Sequence, residues 1–191
     1  MKLERGFTLL ELLVVMVIMG LLISMATLNT SYDKRKDLLS NEAKRLKFFL
    51  EAASDEAMFQ NKNIGLMVGR YGLKPYAWLP KNQDPTATSS LSSSTDSTET
   101  HSWQDYQGRF IKVYDLPDNM EFELEIDSSS INLPHSLELS KEDIQPQFYI
   151  LSNGEQSISK LNILMDEYDV TASVSGSGLG RFYYKVITDE Q

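Results

Sequence analysis

Between Leu12 and Leu28 the chain runs 17 residues without a charge, and only Gly20, Ser24 and Thr27 interrupt its apolar character. As a helix rising ~1.5 Å per residue this stretch is about 26 Å long, close to the ~30 Å of a bilayer core. Before it stand Lys2 and Arg5, a placement that favours a cytoplasmic N-terminus and puts the rest of the chain on the far side of a membrane. A secretory signal peptide would be cut after such a run at a small-x-small site. Ser24 and Ala26 make a poor one. Glu11, immediately before the run and after the apolar Leu9 and Leu10, costs on the order of 2 to 3 kcal/mol in lipid unless it is paired or held at the interface.

Charge divides the 191 residues into three unlike pieces. Residues 1–31 sum to zero, residues 32–62 to +1 and residues 63–191 to −10, so the net −9 belongs to the distal part. The mean hydropathy of −0.29 is likewise an average of an apolar helix and a polar domain. An acidic distal part disfavours nucleic acid, whose phosphates are neutralised by clustered Lys and Arg. The absence of cysteine excludes disulfides, thiolate nucleophiles and zinc–thiolate or iron–sulfur sites.

The sequence Gly6-Phe7-Thr8-Leu9-Leu10-Glu11-Leu12-Leu13-Val14-Val15 closely resembles the class III signal of type IV pilins and type II secretion pseudopilins. The resemblance implies a leader, residues 1–6, cut after Gly6 by a prepilin peptidase, with Phe7 as the methylated new N-terminus and Glu11 as the acid used in filament assembly. Cleavage would place an ammonium on Phe7 four residues before Glu11, on the same helix face. A membrane and filament-core helix is then expected over residues 7–31.

Leu39, Ala43, Leu46, Leu50, Ala53 and Ala57 recur at steps of three and four and trace one helix face. Lys44, Arg45, Lys47, Glu51, Asp55 and Glu56 occupy much of the remaining circumference. An amphipathic helix over residues 32–62 is expected to pack on a sheet. With no proline before Pro75, one helix from Phe7 to about Gln60 is allowed.

From Asn63 the period becomes two, and residues 63–191 read as a β-rich head. Ile64 to Val68 and Leu73 to Leu79 form a hairpin about Arg70-Tyr71-Gly72, with Pro75 placing the second strand at an edge. Phe110 to Tyr114 is a further strand, and Met120, Phe122, Leu124 and Ile126 alternate with a solvated row of Glu121, Glu123 and Glu125. Phe148 to Leu151 and Ile158 to Met165 flank Asn153-Gly154 as a second hairpin. A glycine-rich turn over 176–181 leads to a last strand, Phe182 to Ile187. Twelve of the seventeen residues 86–102 are Ser or Thr, a polar loop between strands. The fold class is α+β, a long N-terminal helix packed on an antiparallel sheet or sandwich head.

The run Leu46 to Ala57, Gln60 to Leu66, Trp103-Gln104, Leu116-Pro117, Ser152 to Glu155 and Gly176 to Arg181 together resemble the H-type minor pseudopilins of type II secretion. That implies a low-copy subunit near the tip of a periplasmic pseudopilus. Its partners would be the prepilin peptidase, the other minor pseudopilins, the major one and the inner-membrane assembly platform, with no nucleic acid. A minor pilin of a type IV pilus shares the same domain and is the alternative. His101 and His135, the two histidines, stand in no catalytic motif; no enzyme activity, cofactor or metal site is expected. Asp166, Glu167 and Asp169 read as a solvated acidic turn.

Overall fold

The computed structural model describes residues 8–81, 101–126, 128–137, 144–157, 159–165 and 170–188, with residues 26–33 and 188 described in backbone only. The leader with Gly6 and Phe7, most of the Ser/Thr-rich segment, Ile158 and the acidic turn of Asp166, Glu167 and Asp169 lie outside the described residues. The chain divides into two units, Met1–Leu38 and Leu39–Gln191.

One helix, α1, runs Leu9–Gln60 and passes through Gly20 without a break. Its start is marked by Thr8, whose carbonyl and side-chain Oγ1 both accept the Glu11 N–H, at 3.1 and 3.3 Å, an N-capping arrangement. Its end is Asn61, which takes a left-handed φ of 51°, a conformation that asparagine tolerates better than most residues.

In the second unit, Leu39, Ala43, Leu46, Leu50, Ala53 and Ala57 are all 0 or 1% exposed, as the three-four spacing requires. They share the core with the inward residues of two antiparallel sheets. Sheet A contains β1 (Ile64–Val68), β2 (Gly72–Pro80), β3 (His101–Asp105), β4 (Tyr114–Asp115) and β7 (Phe148–Ile150), in the order β3-β2-β1-β7 with β4 on β2. Sheet B contains β5 (Met120–Ile126), β6 (Ser129–Ile131), β8 (Ser159–Met165), β9 (Val170–Gly176) and β10 (Phe182–Thr188), in the order β10-β9-β8-β5-β6. Phe148 of sheet A meets Phe182 of sheet B with ring centroids 6.2 Å apart, and Tyr114 meets Phe122 at 6.3 Å.

Three strand expectations are corrected. Pro75 does not make β2 an edge: β3 pairs with Tyr76 to Pro80 and β4 with Gly72 and Leu73. Pro75 falls in the interruption between them, where its missing N–H costs no ladder bond and its carbonyl accepts the Tyr106 N–H at 3.2 Å. Phe110 to Val113 is not strand; only Tyr114–Asp115 pairs, because the preceding backbone is bonded to a helix carboxylate described below. Phe148 to Ile150 and Ser159 to Met165 are not a hairpin, since β7 pairs with β1 and β8 with β5 and β9. The Asn153-Gly154 turn, with Gly154 at φ 88°, carries the chain from one sheet to the other.

Candidate assembly surfaces

In the first unit the helical stretch from Leu9 to Met25 is apolar with a single acid, Glu11. From Leu9 to Met25 the large apolar side chains are all exposed, from Leu9 at 85% to Val15 at 43%. Glu11 lies exposed among them, its backbone N–H held by Thr8. Among the described residues no helix is long and apolar enough to cross a membrane; the described side chains stop at Met25, while the apolar run in the sequence continues to Leu28. A contiguous run of exposed apolar side chains of this kind marks an interaction surface rather than ordinary scattered exposure.

The second unit is fastened to α1 by two glutamates that the hydrophobic pattern conceals. Glu56 is 3% exposed; its Oε1 accepts the Tyr106 hydroxyl at 2.9 Å and the Arg109 N–H at 2.8 Å, and its Oε2 accepts the Phe110 N–H at 3.2 Å. The carboxylate thereby replaces the strand partner that residues 109–110 lack. Gly108 lies so close that any Cβ there would collide with this carboxylate.

Four helical turns earlier, Glu42 is 8% exposed and accepts the Tyr114 hydroxyl at 2.7 Å. Arg45 donates to the same Glu42 oxygen through Nη2 at 2.7 Å and Nε at 3.0 Å, stands 4.3 Å above the Tyr114 ring and reaches the Asp115 carbonyl. Burial, and then the neighbouring carboxylates, push the Tyr106 and Tyr114 phenols well above the ordinary tyrosine range.

The acidic row of β5 is engaged rather than merely solvated. Glu121 faces Arg70 at 3.5 Å, Glu123 accepts Asn162 at 3.2 Å and Ser130 at 3.1 Å, and Glu125 accepts Asn162 at 3.0 Å and Lys160 at 3.2 Å. The Asn162 amide, followed by Lys160, holds the Glu125 carboxyl below its usual range. His101 stacks on Trp78 with centroids 6.0 Å apart, and His135 meets Tyr71 edge-on at 5.1 Å, so the two histidines are in separate aromatic contacts.

Residues 1–27 match the prokaryotic N-terminal methylation motif. Over 173 residues the chain is 32% identical to type II secretion system protein H of Pseudomonas aeruginosa, covering 85% of its own length and 84% of that relative. The chain belongs to the type II secretion H family of minor pseudopilins. The fold agrees: the minor pseudopilin EpsH of Vibrio cholerae superposes with a TM-score of 0.51 at 14% identity, over 80% of this chain and 98% of that one. The solution structure of Escherichia coli GspH gives 0.50 at 16% identity, over 78% and 88%.

Within the second unit, Glu42 and Glu56 join the helix from Leu39 onward to the segment between Tyr106 and Tyr114. The sequence places Glu56 on the exposed circumference and gives Glu42 no role; both are buried. The available signal was their helical phase. Glu42 and Glu56 adjoin Ala43 and Ala57 in the apolar stripe, fourteen residues apart, which is close to four turns and returns to the same face.

Proposed function

We propose that the chain is a structural subunit near the tip of a short periplasmic pseudopilus, bridging the other minor pseudopilins to the major one and helping to move folded exoproteins through an outer-membrane secretin. It acts by assembly rather than catalysis, and its acidic head has no use for nucleic acid. Residues 7–31 form the membrane and filament-core helix, residues 32–62 the amphipathic helix and residues 63–191 the periplasmic head. The chain spans the inner membrane once through the first of these helices, with its head in the periplasm, and meets the inner-membrane assembly platform before it enters the pseudopilus.

Prepilin peptidase cuts between Gly6 and Phe7 and the new N-terminus of Phe7 is methylated. Cleavage removes Lys2 and Arg5 and leaves Glu11 as the one charge of the apolar helix besides the new ammonium. An acid buried among apolar helices is costly unless an opposite charge meets it. The ammonium of a neighbouring subunit meets Glu11, giving attraction and axial register together. The observation that carries this reading is the lone Glu11 in a helix face whose apolar side chains are all exposed in the single chain.

Mass spectrometry of the mature protein tests it. The expected mass is that of a chain beginning at N-methyl-Phe7; an intact Met1, or a start after Ser24, overturns the reading.

A further inference from the structure

We propose that the outer edge of β10 is a strand-pairing site for an extended segment of a different subunit, one that carries an acidic residue opposite Lys185. The identity of the partner as a fellow subunit rests on the assembly role proposed above; the pairing chemistry rests on the edge itself.

β10 pairs with β9 along its whole length, from Phe182↔Gly176 to Thr188↔Val170, and no described strand lies on its other side. An open edge displays a row of backbone N–H and C=O groups that another strand can complete. Proteins normally blunt such edges by shortness, proline, bulges or charged side chains, lysine above all, and of these β10 has only Lys185. The other terminal strands are short, with five residues in β3 and three each in β6 and β7. β10 has seven, Phe182–Thr188, with neither proline nor glycine, and it exposes Tyr183 at 60% and Tyr184 at 39%.

Among the described residues neither flank of this edge is fully covered, since Tyr183, Tyr184 and Lys185 are exposed. Phe182 is buried and Lys44 of α1 stands 5.9 Å from the Tyr184 ring, which puts Phe182, Tyr184 and Val186 on the helix side and Tyr183, Lys185 and Ile187 on the outer side. Phe48, one turn beyond Lys44 on the same flank, is 65% exposed. An added strand would cover aromatic surface on both faces.

Charge decides which strand. Lys44, Arg181 and Lys185 have no ion pair among the described residues, and they surround this edge in a chain of net charge −9. Lys185 is the middle residue of β10. Two copies pairing antiparallel about that centre would set Lys185 against its own counterpart, and like charges directly opposite destabilise a pair. The same lysine favours a strand with Glu or Asp at its centre. The edge therefore rejects a second copy and selects an acidic partner.

The test uses the full chain in detergent with two capped seven-residue peptides of alternating Thr and Val, one with Glu and one with Lys in the middle. The Glu peptide should bind about fivefold or more tighter than the Lys peptide, and Lys185→Glu should reverse that order. Amide exchange should slow in β10 and stay unchanged in β3, β6 and β7. Lys185→Thr should bring a concentration-dependent dimer that the unsubstituted chain lacks. Equal binding of the two peptides, binding of neither, an unreversed order or protection at another edge overturns the proposal. These readings are made on the isolated chain, so their failure is distinguishable from failure of the assembly role, which is read from N-terminal processing and from secretion in cells.

Discussion

The Tyr106 hydroxyl and the Glu56 carboxylate meet at 2.9 Å in the interior of the second unit, tying the last turns of α1 to the segment that follows β3. Glu56 accepts two backbone N–H groups of the same segment as well, so removing it strands three donors. Each buried donor left without a partner costs on the order of 1 to 3 kcal/mol, with partial relief from water. Glu56→Ala should therefore lose about 2 to 4 kcal/mol in denaturant unfolding, and Tyr106→Phe about 1 kcal/mol. The double variant should cost less than the sum of the two, because the partners share one interaction; strict additivity would deny the coupling.

A second expectation concerns alkaline pH. The phenols of Tyr106 and Tyr114 have folded pKa values raised above the ordinary 10.0, first by burial and then by Glu56 and Glu42. A raised folded pKa contributes stability that is complete below the unfolded value and is lost as pH climbs through the folded one. Stability should thus hold up to about pH 10 and fall above it. At about pH 11 these two phenols should add nothing to the ultraviolet signal of tyrosinate while the protein is folded. Tyr106→Phe and Tyr114→Phe should leave that amplitude unchanged in the folded protein and lower it in denaturant.

Neighbouring positions on α1 give a third. Leu46 is 0% exposed and Phe48 65% exposed, although both are large and apolar. Leu46→Ala should cost about 2 to 5 kcal/mol through lost burial and the cavity left behind, while Phe48→Ala should stay within about 0.5 kcal/mol. Equal losses in thermal or denaturant unfolding would contradict the assignment of the buried face.

The stripe from Leu39 to Ala57 and the alternation in β5 were legible because one side chain type marks each buried position. The same reading fails where a polar group occupies an apolar phase. Glu42 and Glu56 satisfy their burial through tyrosines 72 and 50 residues away in sequence, and no local spacing reveals a partner so distant. β9 leaves little mark in the sequence because Thr171, Ser173 and Ser175 dilute its pattern, yet Val170, Ala172 and Val174 are buried at 0 or 1%. Pro75 was legible as a break in pairing but not as one placed between two partner strands. Glu11 needs no tertiary information to stand out: a lone carboxyl in an apolar helix is visible in the sequence itself.

Glu11 carries a fourth prediction. If it pairs with a neighbouring subunit's N-terminal ammonium, Glu11→Ala should leave the second unit folded and N-terminal processing intact, while lowering recovery of the chain in sheared pseudopili by about tenfold or more, the size expected when a buried opposite charge loses its partner. Glu11→Asp should fall between the two. Unchanged recovery of Glu11→Ala would remove the pairing from the account.

The central claim, an assembly subunit serving protein export, is tested most directly by measuring exoprotein release in a strain from which the gene for this chain has been deleted, with the unsubstituted gene restored as control. The account predicts that exoproteins accumulate in the periplasm while twitching and DNA uptake stay normal, and that restoring the gene returns release. Normal release together with lost motility would contradict it.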